Sequence, residues 1–363
     1  MLGDAMPQTT YRNRRCVQIE TGMVRLTVLA EGGHIAEILH KPSGVNPLWT
    51  PPWPSIEPST YSPEKNPEYG ADAESKLLAG IMGHNICMDI FGGVSEEEAA
   101  AGLTVHGEAA VAPYDIEETE GGLVARAELP NAQLRFERRI QLAPGSPVIR
   151  IAETVENLSA TDRPIGWTQH VTLGPPFLQK GSTEFRMPAT HSKVCLAGAS
   201  GGKGMKAGAE FDWPLAPRED GGLVDMRVFT DLPASSGYST HLMDPSREQV
   251  FFAAFSPSCR VLFGYVWNRK DFPWLGIWEE NHYRQHAPWN GRTLTRGMEF
   301  GVSPVPETRR QMIERGVLFG EKTFRWIPAR TKVGAEYCAF IAEAESIPEE
   351  VVWDGEYSVY QKR

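Results

Sequence analysis

Residues 134–157 read LRFERRIQLAPGSPVIRIAETVEN, and apolar and polar side chains alternate through both halves of this stretch. In the first half, apolar residues share one face of an extended chain and charged residues share the other: Leu134, Phe136, Ile140 and Leu142 against Arg135, Glu137 and Arg139. A period of two is typical of a half-buried β-strand. The intervening APGSP is a turn signal, so the stretch predicts two strands joined as a hairpin.

The same alternation recurs along the chain, at VRLTVLAE (24–31), HIAEILH (34–40) and LVARAEL (123–129). Helical periodicity is confined to SEEEAAA (95–101) and PETRRQMIERG (306–316). We therefore predict a mostly β chain of antiparallel sheets with few short helices. No composition shift marks a linker, so we expect a single domain over residues 1–363.

Two long stretches lack either period. Residues 46–70 are rich in proline and aromatic residues, and residues 179–213 are rich in glycine. Loops of this length in a compact domain are either functional lids or flexible insertions. We expect both stretches to be irregular and to border a ligand cleft.

The charge balance excludes some classes of partner. Lysine and arginine total 36 against 46 acidic residues, which gives a net charge of −10 and a pI near 5.5. Without a basic stripe, nucleic acid is not an expected partner.

The N-terminus lacks the apolar core of a signal peptide, and no apolar run approaches the roughly 18 residues of a membrane span. We expect a soluble, cytoplasmic protein that does not bind membranes. Five scattered cysteines without a CxxC pair indicate neither a disulfide framework nor a thiolate zinc site.

The stretch LGIWEENHYRQHAPWNGR (275–292) crowds acids, histidines, tryptophans and arginines into eighteen positions. It follows RVLFGYVW (260–267), which has the composition of a buried strand. Such a dense polar and aromatic cluster at the end of a strand indicates the floor of a ligand cleft.

An ordered series of segments resembles the aldose 1-epimerase (galactose mutarotase) family: GGHIAEILH (32–40), TVHGEAA (104–110), VIRIAETVENLSATDRPIGWTQHVTLG (148–174), LGIWEENHYR (275–284) and RGMEFGVSP (296–304). The series covers roughly residues 15–340. The resemblance implies a galactose mutarotase-like supersandwich of antiparallel sheets that binds a sugar in an open cleft. The implied activity is the interconversion of the anomers of a free or modified monosaccharide.

The resemblance also implies roles for two histidines. His106, which is followed by glycine, corresponds to a histidine that holds the sugar, and His170 corresponds to the general acid. Anomer interconversion needs a base that takes the proton of the C1 hydroxyl and an acid that protonates the ring oxygen. A carboxylate and an imidazole can supply both functions near neutral pH, so neither a cofactor nor a metal is expected.

The catalytic glutamate of the family has two candidates here. Aligning the family's glycine to Gly276 puts Glu280 in the catalytic position, whereas aligning the apolar residue before the acid to Trp278 puts Glu279 there. Neighbouring strand residues point to opposite faces, so only one of the two can enter the cleft. We favour Glu280, which shares a face with Trp278.

Further residues are predicted to bind the substrate. Trp278 can stack on a sugar ring, and Arg284 can bind a carboxylate or phosphate group on it. His84, in GHNICMD, stands in place of an arginine of the family, and His241 lies in SGYSTHLMD, where Ser239 replaces an aspartate. Both replaced residues bind sugar hydroxyls in the family, so the resemblance does not imply that plain galactose or glucose is the substrate.

Two other functions fit the same residues. One is a carbohydrate-binding protein that keeps the cleft without turnover. The other is a metal-dependent enzyme that uses His84, His106, Glu108 and His170 as ligands. Glu299 is expected to pair with Arg296 or to face solvent, and the protein is expected to be a monomer or a homodimer.

Overall fold

Two large antiparallel β-sheets and three two-stranded sheets make up residues 9–362, the part of the chain described by a computed structural model. This part of the chain contains three α-helices: α1 (Ser75–Gly80), α2 (Glu96–Ala100) and α3 (Arg309–Arg315). It also contains 26 strands: β1 (Thr10–Tyr11), β2 (Arg14–Glu20), β3 (Val24–Leu29), β4 (Ile35–His40), β5 (His84–Asp89), β6 (Asp115–Thr119), β7 (Gly122–Leu129), β8 (Leu134–Leu142), β9 (Val148–Asn157), β10 (Arg163–Leu173), β11 (Glu184–Arg186), β12 (Ala189–Ala199), β13 (Glu210–Asp212), β14 (Leu215–Pro217), β15 (Leu223–Asp225), β16 (Ser235–Met243), β17 (Gln249–Ser256), β18 (Val261–Asn268), β19 (Trp274–Asn281), β20 (Leu294–Gly301), β21 (Val317–Leu318), β22 (Glu321–Lys322), β23 (Arg325–Ile327), β24 (Lys332–Glu343), β25 (Glu350–Trp353) and β26 (Val359–Lys362).

The larger sheet has the strand order β1-β2-β3-β4-β5-β10-β20-β19-β16-β12-β13, with β23 paired to β10. The smaller sheet has the order β11-β17-β18-β24-β9-β8-β7-β6. The main apolar core contains residues of both sheets, such as Leu26 and Trp167 from the larger and Phe136 and Phe263 from the smaller. The predicted antiparallel, mostly β architecture is therefore confirmed.

The hairpin predicted at residues 134–157 is the pair β8 and β9. Along β8 the residues of the apolar face are buried, while Arg135 and Arg139 are exposed. Arg138 lies on the buried face as well, and its Nε donates to Glu153 Oε1 over 2.7 Å. A buried ion pair of this kind is tolerated only where hydrogen bonds satisfy its remaining polar atoms. The core between the sheets is therefore partly polar.

His84 belongs to this polar part of the core, and not to a surface cleft. Its Nδ1 lies 2.9 Å from the Tyr265 hydroxyl and its Nε2 lies 3.0 Å from Gln169 Oε1. Arg138 donates to the same Gln169 oxygen over 3.1 Å. The ring is fully buried, and both of its nitrogens have partners within the protein. The structure therefore gives His84 a structural role in the core, in place of the expected contact with the sugar.

Both predicted helices are present, and both are shorter than their sequence pattern. Helix α2 begins after Ser95, which forms a capping box with Glu98. Helix α3 begins after Thr308 and ends before Gly316, whose φ of 62° is readily adopted only by glycine. Within residues 9–362, none of the helices is long and apolar enough to cross a membrane.

The two stretches predicted as irregular differ in outcome. Residues 46–70 contain only two short 3-10 helices and one isolated β-bridge, from Leu48 to Leu173. Residues 179–213, in contrast, contain β11, β12 and β13, so that prediction is wrong. The pairing of β12 with β16 shifts register between Ala189 and Ser192 and again between Val194 and Leu196. These irregularities interrupt the period of two by which a strand is recognised.

Candidate functional site

Three neighbouring strands of the larger sheet place a histidine and a glutamate side by side. His170 on β10 pairs with Glu299 on β20, and Glu299 pairs with Gly276 on β19. Paired residues of adjacent strands point to the same face of a sheet. Gly297 makes room on this face, because a side chain there would collide with the Glu299 carboxyl.

The side chains of His170 and Glu299 are in direct contact. The distance from His170 Nε2 to Glu299 Oε1 is 3.1 Å, and both residues are buried. Among the residues that the structure describes, Glu299 Oε1 has no partner with hydrogen-bond geometry. A buried carboxyl oxygen without such a partner is costly and indicates that a ligand or water completes its interactions.

Two neighbours orient the histidines of this face. His170 Nδ1 has two neighbours, Thr172 Oγ1 at 3.1 Å and Asn85 Nδ2 at 3.4 Å. When Nδ1 donates to the nearer Thr172, Nε2 is the acceptor in the neutral ring. His106 Nδ1 donates to the Phe91 carbonyl over 2.7 Å, so its Nε2 is also free to accept. The rings of His106 and His170 are 4.9 Å apart between centroids.

Burial decides the protonation of these groups. It raises the pKa of Glu299 well above its ordinary value, because a charged carboxylate loses its hydration there. Burial likewise lowers the pKa of His170 well below its ordinary value, and the nearby His106 lowers it further. It also lowers the pKa of His106 to about 4. The site therefore favours a protonated carboxyl beside neutral imidazoles, one group able to give a proton and the other able to take one.

A cavity of about 350 Å³ opens over this pair and has aromatic walls. This volume lies at the lower end of the range of about 300 to 1,000 Å³ that small-molecule sites occupy. Tyr238, Trp278 and Trp289 line it together with His106 and His170. Flat aromatic rings beside hydrogen-bonding groups suit a ligand that has both apolar faces and hydroxyls.

Arg284 lies at the wall of the cavity between aromatic and acidic groups. Its guanidinium carbon is 4.7 Å from the ring centroid of Trp289. Its Nη1 is 3.8 Å from Glu74 Oε1 and its Nε is 3.3 Å from Glu280 Oε2. Because two carboxyl groups flank Arg284, its positive charge is already balanced, which weakens the expectation that it binds an anionic sugar.

Glu280 supports the turn that follows β19. Its Oε1 accepts hydrogen bonds from the backbone N–H groups of Tyr283 and Arg284, over 2.8 and 2.9 Å. Its carboxyl is thus directed at residues 283–284, beside the cavity wall, whereas Glu299 faces His170. The structure therefore does not bring the favoured catalytic candidate to the histidines.

Glu279 points to the opposite face of the sheet from Trp278, as strand alternation predicts. There it accepts from Arg296 Nε over 2.8 Å. His241 is also away from the cavity, fully buried, with Nδ1 2.8 Å from Ser192 Oγ and Nε2 3.0 Å from Ser239 Oγ. Glu279 was a candidate for the catalytic acid and His241 was expected to contact the substrate. The structure instead places both on contacts within the protein.

Of the predicted site residues, the structure brings together four at the cavity: His106, His170, Trp278 and Arg284. The acid that completes the group, Glu299, was expected to pair with Arg296 or face solvent, and that expectation is wrong. Residues 296 and 299 are three apart on one strand and so point to opposite faces. This spacing, together with the flanking glycines of RGMEFG, is the sequence signal that could have identified Glu299.

The four proposed metal ligands do not converge. His84 lies in the core, and Glu108 accepts from the backbone of Asn131 and Ala132, over 3.2 and 2.7 Å. Within residues 9–362, no group of three or more His, Cys, Asp or Glu side chains is placed to hold a metal ion. The arrangement fits proton transfer to and from a substrate by His170 and Glu299 better than metal ligation.

Comparison with known proteins places the chain in a family by its sequence. A family model described as "Domain of unknown function (DUF4432)" matches residues 88–287, which is more than half of the chain. No curated protein sequence matches the chain significantly.

Several solved structures with a similar fold are mutarotase-like proteins. One is a provisionally assigned aldose 1-epimerase from Klebsiella pneumoniae, with a TM-score of 0.65 and 14% identity over 92% of this chain and 80% of that chain. Another is a galactose mutarotase-like protein from Lactobacillus casei, with a TM-score of 0.56 and 13% identity over 90% of this chain and 100% of that chain. At such identities the likeness shows the fold alone, which is the galactose mutarotase-like fold.

Proposed function

The chain belongs to the DUF4432 family, whose function is unknown, and we propose that it interconverts the anomers of a reducing sugar by acid and base catalysis. The observation that carries this proposal is the buried contact of His170 with Glu299 at the floor of the cavity. The mutarotase-like fold agrees with a function in carbohydrate chemistry, but a shared fold does not establish an activity.

The protonation states favoured by burial suggest how the reaction begins. The protonated Glu299 carboxyl gives its proton to the ring oxygen, while neutral His170 takes the proton of the C1 hydroxyl through Nε2. The C1 to ring-oxygen bond breaks and the open-chain aldehyde forms. After rotation about the C1 to C2 bond, the Glu299 carboxylate takes its proton back from the former ring oxygen as this oxygen attacks C1. Protonated His170 returns its proton to the aldehyde oxygen, and the ring closes as the other anomer. This assignment inverts the roles that the family resemblance implies for the histidine and the acid.

Other lining residues hold the sugar in this proposal. The free Nε2 of His106 accepts from a sugar hydroxyl, and the Trp278 ring packs against a C–H face of the sugar. Trp289 Nε1 is buried and has no hydrogen-bond partner among the described residues, so it can donate to a further hydroxyl. These contacts orient the ring so that C1 meets His170 and Glu299.

Anomer exchange measured by NMR or polarimetry on a panel of reducing sugars tests the proposal. We expect at least one sugar to equilibrate faster with the protein than in buffer at the same pH. Binding of sugars without any acceleration would instead support the second candidate, a carbohydrate-binding protein. Absence of both binding and acceleration across the panel would contradict a carbohydrate function.

A further inference from the structure

Residues of the cavity floor form a row along β19. Gly276, Trp278 and Glu280 alternate with residues of the opposite face, so all three lie on the same side of the sheet. Glu299 pairs with Gly276, so the contact of His170 with Glu299 lies at one end of the row. Glu280 lies at the other end, roughly 13 Å from Gly276 at about 3.3 Å per residue. A sugar that packs on Trp278 with C1 at His170 therefore directs its C4 and C6 groups toward Glu280.

Arg284 and Glu74 form the far end of the cavity, next to Glu280. The guanidinium carbon of Arg284 is 5.8 Å from the ring centroid of Trp278. Glu74 reaches the cavity from the position that precedes α1, and its Oε1 is 3.8 Å from Arg284 Nη1. This distance is longer than a hydrogen bond. The contact with Arg284 therefore leaves the Glu74 oxygens able to accept hydrogen bonds from a ligand.

The charges of Glu74, Glu280 and Arg284 sum to an excess of negative charge at this end. Glu280 Oε2, at 3.3 Å from Arg284 Nε, is the nearer of the two carboxyl groups that flank the guanidinium. Burial raises the pKa of Glu74 because its carboxylate loses hydration, and Arg284 opposes this shift. A hydroxyl that donates to Glu74 restores the lost hydrogen bonding, whereas a further anion in the same place is repelled.

Trp289 adds a hydrogen-bond donor to the same end. Its ring centroid is 4.7 Å from the Arg284 guanidinium carbon, and its buried Nε1 has no hydrogen-bond partner among the described residues. The far end therefore offers both a donor, the Trp289 N–H, and an acceptor, the Glu74 carboxyl. A hydroxyl group donates and accepts, so it matches both, whereas a carboxylate only accepts.

We infer that Glu74 selects the substrate. It accepts hydrogen bonds from hydroxyl groups at the C4 and C6 end of the sugar, and it repels sugars that carry a carboxylate or phosphate group there. The substrate is therefore a neutral sugar. This inference rests on the proposed function, because that function places C1 at His170 and Glu299.

The test compares neutral sugars with their uronates, in which a carboxylate replaces the C6 hydroxymethyl group: D-glucose with D-glucuronate, D-galactose with D-galacturonate and D-mannose with D-mannuronate. Titration calorimetry gives the affinity ratio of each pair. For at least one pair we expect the wild type to bind the neutral sugar roughly tenfold or more tightly than the uronate.

Two substitutions of Glu74 separate its charge from its hydrogen bonds. E74Q keeps an acceptor oxygen and loses the charge, so it should bind the uronate more tightly and bring the affinity ratio to within about threefold of one. E74A also removes the acceptor, so it should bind the neutral sugar roughly tenfold more weakly than the wild type does. The Glu74 side chain does not cap α1, so neither substitution removes a helix cap.

E64Q is the matched control, because Glu64 is an exposed acid outside the cavity lining and its substitution changes the net charge by the same amount. It should keep the wild-type ratio. A wild-type ratio near one, while the anomers of these sugars exchange faster with the protein, refutes selection by Glu74 and leaves the proposed function standing. A wild-type preference that persists in E74Q also overturns the inference. If no reducing sugar binds or exchanges faster, both the inference and the proposed function are refuted.

Discussion

His170 and Glu299 occupy paired positions on adjacent strands, with Nε2 of the imidazole 3.1 Å from Oε1 of the carboxyl at the floor of an aromatic cavity. The register of β10 against β20 sets this contact, so the geometry of the pair depends on the rigid centre of the larger sheet. A site built on paired strands is held more firmly than one built on loops.

The pH dependence of anomer exchange should reflect the burial of this pair. Burial lowers the pKa of His170, so it stays neutral and able to accept a proton below its ordinary value of about 6.5. Burial raises the pKa of Glu299, so it stays protonated above its ordinary value of about 4.3. We expect kcat/KM to stay constant as the pH falls from 7 to 6. A half-maximal rate near pH 6.5 on the acid side would show instead that His170 titrates normally.

Buried histidines should make the fold sensitive to acid. Burial lowers the pKa of His34 and of His241 to about 3, and that of His106 to about 4. Below pH 6.5 the unfolded chain takes up protons at these rings and the folded chain does not. The free energy of unfolding therefore falls as the pH falls, by about 1.4 kcal/mol per pH unit for each such ring. Urea denaturation at pH 7 and pH 5.5 measures this loss.

The variant H34Q should show a smaller loss of stability between pH 7 and pH 5.5 than the wild type. H191Q is its control, because the His191 ring is exposed, and it should show the wild-type loss. Equal losses in H34Q and the wild type would mean that His34 does not contribute to acid sensitivity.

Truncation of the aromatic wall should weaken sugar binding more than it slows the proton transfers. In W278A the sugar loses an aromatic contact of about 0.5 to 1.5 kcal/mol, so KM should rise roughly two- to tenfold. W326A is a suitable control, since Trp326 is 51% exposed and lies on β23, outside the cavity lining. Steady-state kinetics of both variants separate KM from kcat. A large fall in kcat with KM unchanged in W278A would assign Trp278 a role other than binding.

Much of the fold could be predicted from the sequence because one face of each strand must be apolar. The alternation in β8 and β9 gave the hairpin, and the same reasoning correctly put Glu279 and Trp278 on opposite faces. Strand β12 was missed because its two register shifts interrupt the alternation.

The acid of the site was harder to predict, for two physical reasons. His170 and Glu299 are distant in sequence, and only the pairing of β10 with β20 brings them together. Glu280 shares a face with Trp278 but is engaged by the backbone N–H groups of Tyr283 and Arg284, a contact that depends on the shape of the turn. Neither the strand pairing nor the turn geometry can be derived from periodicity.

The most direct test of the central claim compares the anomer-exchange rates of E299Q and E280Q on the sugar that the wild type converts fastest. We expect E299Q to lose the enzymatic rate by about 10²- to 10⁴-fold, and H170A to lose a similar factor, because each removes one proton-transfer group. E280Q should stay active, since the glutamine oxygen can still accept the N–H bonds of Tyr283 and Arg284. An inactive E280Q together with an active E299Q, both folded as judged by circular dichroism, would contradict the account and return the catalytic acid to β19.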